Sequence, residues 1–318
     1  MKKIVLSAFA ALTLSAGAVL AADMPVKAAR APAAPPAWDL AFGAALMNDY
    51  NFRGITQSNH KASVAAYFEP RYNLNPNLQL YLGIAGESIS FPNNAAAEID
   101  FYGGIRPTFG KLALDFGAWY YYYPGGRTFT GLGTAETCTN LFIVPLPGVG
   151  CNAMKASMSF WEIYAKASYA VSDAFTLGLN LFYDPSWVNT GASGTYFSGT
   201  AKYAFPAMAN GVAIYTSGEL GHYVLGTTDA FYGSINLPDY TTWNVGLGWT
   251  WKVFTVDLRY YDTDLSKGNC NALTGDHTAT YSASNISAIN PSGLGSNWCG
   301  ASFIAKLSAD LTVNTNLK

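Results

Sequence analysis

The sequence predicts an all-β protein, an up-and-down antiparallel transmembrane β-barrel of about twelve strands. Three observations carry that expectation. Apolar and polar residues alternate with period two through segment after segment. The connections between those segments alternate short and long. Finally, only 12% of the residues are charged, while 50% are apolar and 15% aromatic, against roughly 25% charged in soluble domains. That composition excludes disorder, and without a fixed Gly or heptad period the collagen-like and coiled-coil classes fall as well. The net charge of -2 gives no electrostatic footprint for nucleic acid, so no such partner is expected.

The chain opens with Lys2 and Lys3, runs apolar from Ile4 to Val19 and reaches the small residues Ala21 and Ala22. This is the pattern of a secretory signal peptide over residues 1–22; the apolar run falls short of the ~20 residues of a membrane helix. Residues 23–37 (DMPVKAARAPAAPPA) read as an Ala/Pro-rich periplasmic tether without apolar periodicity. Residues 38–318 are assigned to the barrel.

The strands follow in order. In the first, Leu40, Phe42, Ala44 and Leu46 share a face; in the second, Val64, Ala66, Phe68 and Tyr72 do. The third sets Leu78, Leu80, Leu82 and Ile84 against Gln79, Tyr81, Gly83 and Glu87, and the fourth sets Ile99, Phe101 and Ile105 against Asp100, Tyr102 and Arg106. The fifth opposes Leu112, Leu114 and Phe116 to Asp115, Gly117 and Trp119; the sixth opposes Trp161, Ile163 and Tyr169 to Glu162, Tyr164 and Lys166. Phe175, Leu177, Leu179 and Leu181 mark the seventh, and Phe197, Ala201, Tyr203 and Phe205 the eighth. The ninth, Val212 to Val224, is the weakest, with Thr216 and Gly218 on its apolar side. The tenth, Trp243, Val245, Leu247, Trp249 and Trp251, is the clearest. Phe254, Val256, Leu258 and Tyr260 form the eleventh, and Phe303, Ala305, Leu307, Ala309 and Leu311 the twelfth, expected to end near Leu311.

Even-numbered strands are followed by short connections and odd-numbered ones by long connections, the longest at 124–157 and 262–300. Short periplasmic turns and long outer loops give this asymmetry. Aromatic residues also collect near strand ends: Tyr120, Tyr122, Trp161, Tyr183 and Tyr260 toward the long loops, Tyr72, Phe109, Tyr169 and Trp251 toward the short turns. Rings of this kind settle at membrane interfaces.

Three stretches carry a family resemblance. DYNFRGITQ (Asp49 to Gln57), AEIDFYGG (Ala97 to Gly104) and YYYYPG (Tyr120 to Gly125) together resemble motifs of the TorF family of outer-membrane porins. The resemblance implies a barrel in the bacterial outer membrane. The Cys-bearing loops after strands five and eleven look like insertions relative to that family, and the end Asn314 to Lys318 lacks the terminal aromatic common in such barrels.

The inward faces are the expected functional surface, because charged residues are costly against lipid and suited to a wet lumen. Pore-lining candidates are Asp49, Arg53, Glu69, Arg71, Glu87, Asp100, Arg106, Asp115, Glu162, Lys166, Lys202, Glu219, Asp257 and Arg259. Asp49 and Arg53 stand where strand one meets its loop, at the mouth or as loop caps. Sealing of the interior by cross-strand ion pairs is the rival to a wet lumen. Inward tyrosines such as Tyr81, Tyr102, Tyr164 and Tyr215 would form a stacking track for sugars or simply fill space. On-strand glycines are expected to relieve curvature.

The four cysteines permit three pairings. The two loops that hold them emerge on roughly opposite sides of the barrel, so Cys138 is expected to join Cys151 and Cys270 to join Cys299. A closed loop of about 14 residues is worth about 3 kcal/mol. No metal site, cofactor or catalytic residue is expected: the three histidines are scattered, and GxSxG, HExxH and phosphate-binding loops are missing from the sequence. A phospholipase would need Ser and His together on the lipid face, whereas His222 faces outward and Ser217 inward. The expected function is passive diffusion of small hydrophilic solutes, with outer-membrane lipid and the barrel-assembly machinery as partners; a non-conducting structural or adhesive barrel with disulfide-stapled loops is the alternative.

Overall fold

The computed structural model describes residues 36–131 and 152–317. The leader, most of the tether, Cys138 and Cys151 lie outside the described residues, and with them the expected Cys138–Cys151 bond. Twelve strands close into one antiparallel barrel. They are β1 (Trp38–Met47), β2 (Ser63–Asn75), β3 (Leu78–Glu87), β4 (Glu98–Phe109), β5 (Leu112–Tyr122) and β6 (Phe160–Ala170), then β7 (Phe175–Asp184), β8 (Gly194–Ala204), β9 (Ala213–Leu225), β10 (Tyr240–Trp251), β11 (Phe254–Thr263) and β12 (Ser302–Thr312). Each pairs with its sequence neighbours, and β1 closes on β12 with Phe42 opposite Leu311 and Ala44 opposite Ala309.

All twelve alternating segments are barrel strands. Their ends differ by a few residues: β4 starts at Glu98 and β7 runs to Asp184, because the inward member of each alternation extends past the last outward apolar residue. β12 ends one residue past Leu311, and a helical turn, Val313–Asn316, follows.

Burial is inverted relative to a soluble barrel. Leu82 and Leu179 are 69% and 67% exposed, whereas Glu162 is fully buried and Asp257 nearly so. A greasy exterior around a polar interior is the arrangement that a hydrocarbon surround requires, and closure of the sheet removes its free edges.

Inside, the tyrosines lie over glycines on the neighbouring strand. A methyl group on Gly83 would sit 2.1 Å from the ring of Tyr102, and one on Gly248 2.1 Å from that of Tyr215. These glycines and tyrosines are direct cross-strand partners, as are Gly117 with Tyr164 and Gly43 with Tyr67. The glycines therefore make slots for rings, a sharper reason than curvature.

The long connections, numbered loops 1 to 6 (48–62, 88–97, 123–159, 185–193, 226–239 and 264–301), all emerge at one end. The described parts pack together over the mouth around Phe91, Met154, Trp187, Leu237, Leu273 and Trp298. Loop 6 carries helix α1 (Lys267–Thr274), whose N-cap Ser266 accepts from Asn269 N. Cys270 joins Cys299 with their Cα atoms 5.8 Å apart, the expected local pair. The premise of separate Cys-bearing loops needs correction. Loops 3 and 6 meet over the mouth, where Asn152 and Asn271 exchange amide hydrogen bonds of 2.8 and 2.9 Å. Lys155 of loop 3 likewise reaches Asp229 in loop 5. Length lets loops rooted on opposite walls share one apolar core.

Candidate functional site

Loop 1 folds across the mouth, against the loop-side ends of the far strands. Asn51–Phe52 pairs with Ile55–Thr56 as a short hairpin, and Asn51 Oδ1 closes its turn by accepting from Gly54 N at 2.9 Å. Arg53 and Gly54 at the tip have φ of 48° and 87°. Glycine is demanded twice at position 54, because a Cβ there would also come within 2.3 Å of Thr263.

From this tip the Arg53 guanidinium crosses to the far wall. It donates to both oxygens of Glu162, at 2.6 and 2.9 Å, and to Tyr223 Oη at 3.0 Å. Its plane lies 4.4 Å from the ring centroid of Phe182 and 4.5 Å from that of Tyr196. Glu162 also accepts from Tyr121, and Tyr240 donates to the Arg53 carbonyl. A hairpin rooted between β1 and β2 is thus locked to strands β6 to β10, and the bidentate pair fixes its orientation.

Of the two roles expected for Asp49, the structure shows the loop cap. It is 3% exposed and accepts from Thr56 Oγ1, from Ser58 Oγ at 2.9 Å and from His60 Nδ1 at 2.8 Å. It caps the base of the hairpin and does not line the lumen; a short carboxylate followed by hydroxyl donors is better served locally than across a pore. His60 Nε2 faces the carbonyl of Asn297 at 3.1 Å. With acceptors on both ring nitrogens, the hydrogen bond to Asp49 holds the imidazolium pKa above its ordinary value although partial burial opposes this.

The remaining candidates face the interior, most of them held by an opposite charge or a tyrosine ring or hydroxyl. Glu69 accepts from Arg71 Nε at 2.6 Å and from Arg106 at 2.8 and 3.1 Å, and Arg106 Nε reaches Asp115 at 3.2 Å. Arg259 donates twice to Asp257, at 3.0 Å each, and to Asn244 Oδ1 at 2.6 Å. Lys166 and Lys202 sit over the rings of Tyr164 and Tyr215 at 4.4 and 4.1 Å, and Glu219 accepts from Tyr196 at 2.9 Å. The picture of charges lining open water is corrected accordingly: in a barrel of this girth, facing strands bring opposite charges into contact. Tyrosine hydroxyls join the same network, Tyr81 donating to Asp115 and Tyr215 to Asp257, and so the rings fill space rather than form an open track.

Glu87 and Asp100 belong to a third group together with Glu98, which the sequence reading passed over. The three buried carboxylates approach within 4.8 Å of one another. Period two counted backward from Asp100 puts Glu98 on the inward face, and that was the available signal. Asp184, at the end of β7, was missed for the same reason; it accepts from Tyr223 at 2.9 Å. His222 bonds Thr241 at 3.1 Å, while Ser217 Oγ accepts from Arg259 in the interior.

A family model described as a bacterial protein of unknown function (Gcw_chp) matches residues 30–289. The chain belongs to the Gcw_chp family. The match takes in the inward hairpin and all the paired charges from Glu69 to Arg259, whereas β12 and Cys299 of this Gcw_chp protein lie beyond it. No curated protein matches the sequence. Among solved structures the chain is similar to the NanC porin, at 8% identity and TM-score 0.44 over 86% of this chain and 100% of that one. It is also similar to the COG4313 outer membrane channel from Pseudomonas putida F1, at 12% identity and TM-score 0.40, covering 87% and 96% of the two chains. A FadL homologue from Pseudomonas aeruginosa aligns at 10% identity and TM-score 0.41 over 86% and 89%. The barrel of this Gcw_chp member rests on its own strand pairing and not on these likenesses.

Proposed function

We propose that the protein is a porin of the bacterial outer membrane, passing small hydrophilic solutes through a narrow polar lumen in which the loop 1 hairpin is the constriction. The observation that carries this reading is the Arg53–Glu162 pair, which anchors a loop across a lumen whose walls are charged. The greasy exterior supports residence in a bilayer, and one of the three stretches that resemble TorF porins, Asp49 to Gln57, spans the hairpin. Eleven inward acids on the strands (Asp39, Glu69, Glu87, Glu98, Asp100, Asp115, Glu162, Asp184, Glu219, Asp257, Asp310) exceed six bases (Arg71, Arg106, Lys166, Lys202, Arg259, Lys306), so a modest cation preference is expected.

Planar-bilayer recording tests the proposal. Wild type should give small single-channel currents, and Arg53→Ala and Glu162→Gln should give larger ones, because each frees the hairpin tip. Reversal potentials in a salt gradient should favour cations weakly and lose that preference near 1 M salt, where the Debye length shrinks to about 3 Å. A second reading, a non-conducting surface barrel, draws on the shared loop core and the Cys270–Cys299 bond over the mouth. Silence from wild type and both variants, all heat-modifiable on gels, would favour it.

A further inference from the structure

At the long-loop end, where β3 hands over to β4, Glu87 and Glu98 are direct cross-strand partners and Asp100 stands two residues along on the same face. All three are more than nine-tenths buried, at 7%, 2% and 3% exposure. Like charges placed directly opposite across a ladder are destabilising. Four other inward acids, Glu69, Asp115, Glu162 and Asp257, each have at least one arginine partner. Among the described residues none of Glu87, Glu98 and Asp100 makes an ion pair. Moreover, Glu87 Oε2 and Asp100 Oδ1 are buried without a hydrogen-bond partner there.

Glu98 is held from behind. Tyr50 Oη of loop 1 donates to its Oε1 at 2.5 Å, and Tyr123 Oη of loop 3 donates to its Oε2 at 2.7 Å. Each oxygen keeps a second lone pair, and the phenols fix its direction. One oxygen from each of the three carboxylates lies within 4.8 Å of the others, a span that fits inside a coordination sphere with metal–oxygen distances of about 2.4 Å.

We propose that Glu87, Glu98 and Asp100 form a binding site for one hard divalent cation, Ca2+ ahead of Mg2+. An all-carboxylate set without imidazole or thiolate selects hard cations over Zn2+ or Cu2+. Ca2+ accepts irregular oxygen sets at 2.3–2.6 Å, whereas Mg2+ demands near-ideal octahedra at about 2.0–2.1 Å and keeps several waters. Bound there, the cation neutralises two of three facing charges and satisfies the two orphaned oxygens. Through Glu98 it also tightens the hold on Tyr50 and Tyr123, and so on loops 1 and 3.

Terbium luminescence is the direct test, with Tb3+ standing in for Ca2+. Trp119, on the same face of β5 as Tyr121, which pairs with Asp100, and Tyr123 are close enough to sensitise it. Chelator-treated wild type in detergent should give emission that saturates at one Tb3+ per chain and is displaced by Ca2+ at lower concentration than by Mg2+. Glu87→Gln and Asp100→Asn should lose the signal while retaining the heat-shifted gel band of a closed barrel. Tyr123→Phe, which removes only a support of Glu98, should weaken binding about tenfold or more. If the carboxyl variants do not fold, wild type decides: its unfolding temperature should rise with Ca2+ and fall with chelator. Emission unchanged in folded Glu87→Gln and Asp100→Asn, or a wild-type unfolding temperature indifferent to Ca2+ and chelator alike, means that the carboxylates share protons instead and overturns the site.

Discussion

Arg53 shows how one side chain ties a loop to the opposite wall. Its side chain is 7% exposed and its partner Glu162 is fully buried, so truncating either leaves a desolvated charge facing the other wall. Loss of one member of such a pair costs about 3–5 kcal/mol. Urea unfolding of Arg53→Ala in lipid vesicles should show a loss of that order, and Arg53→Met combined with Glu162→Leu a smaller one. A larger loss in the double variant would mean that the pair does not fix the hairpin. His60 gives a second expectation. Because its folded pKa is raised through Asp49, its contribution is full below the unfolded value of about 6.5 and disappears as pH rises through the folded value. Amide protection factors over residues 48–62, which remove the intrinsic rise of exchange with pH, should therefore be higher at pH 5.5 than at pH 8.5, and His60→Asn should flatten that difference. At this scale the sequence was half legible. It offered the charged residues and a loop-capping role for Asp49, but neither the hairpin nor the crossing of Arg53 to Glu162, since partner choice across the lumen is set by the curvature of the wall and not by neighbours in sequence.

At the level of strands legibility was nearly complete, because lipid outside and polar groups inside impose the same period-two signal on each one. What a single strand cannot reveal is its register, and the tyrosine slots depend on register alone. Gly83→Ala forces the Tyr102 ring off its seat and should cost about 1–3 kcal/mol, the usual range for overpacking; Gly199→Ala, with nothing within 4 Å, is the control and should cost far less. Equal losses would refute the slot. The loops were the least legible elements, since Met154, Leu273 and Trp298 come together without any period to announce them. Their brace is the disulfide, which spans a sequence separation of 29 residues and is worth about 3–4 kcal/mol in the chain-entropy model. Reduction should open residues 264–301 to protease while the strands stay resistant. Simultaneous digestion of the strands would show that the loop core supports the barrel as well as covering it.

The molecule as a whole is a cylinder with one covered end, and its gel behaviour should say so: unboiled samples in detergent should migrate apart from boiled ones, whereas co-migration would rule out a closed barrel. The seam of that cylinder joins β1 to β12, and beside it Asn48 Nδ2 donates to the Phe303 carbonyl at 3.1 Å while Asn48 Oδ1 accepts from Ala305 N at 2.7 Å. These contacts link residues 255 and 257 positions apart. The entropic penalty for bringing such distant ends together grows only logarithmically with their separation, so closure is thermodynamically modest. In time it is demanding. Until β12 arrives, β1 and β11 each present an unpaired row of N–H and C=O groups, a template for any other strand nearby. The pairing of β12 with β1 thus converts an open, sticky sheet into a sealed one, and the interval before it forms is when the chain most needs shielding from its own copies.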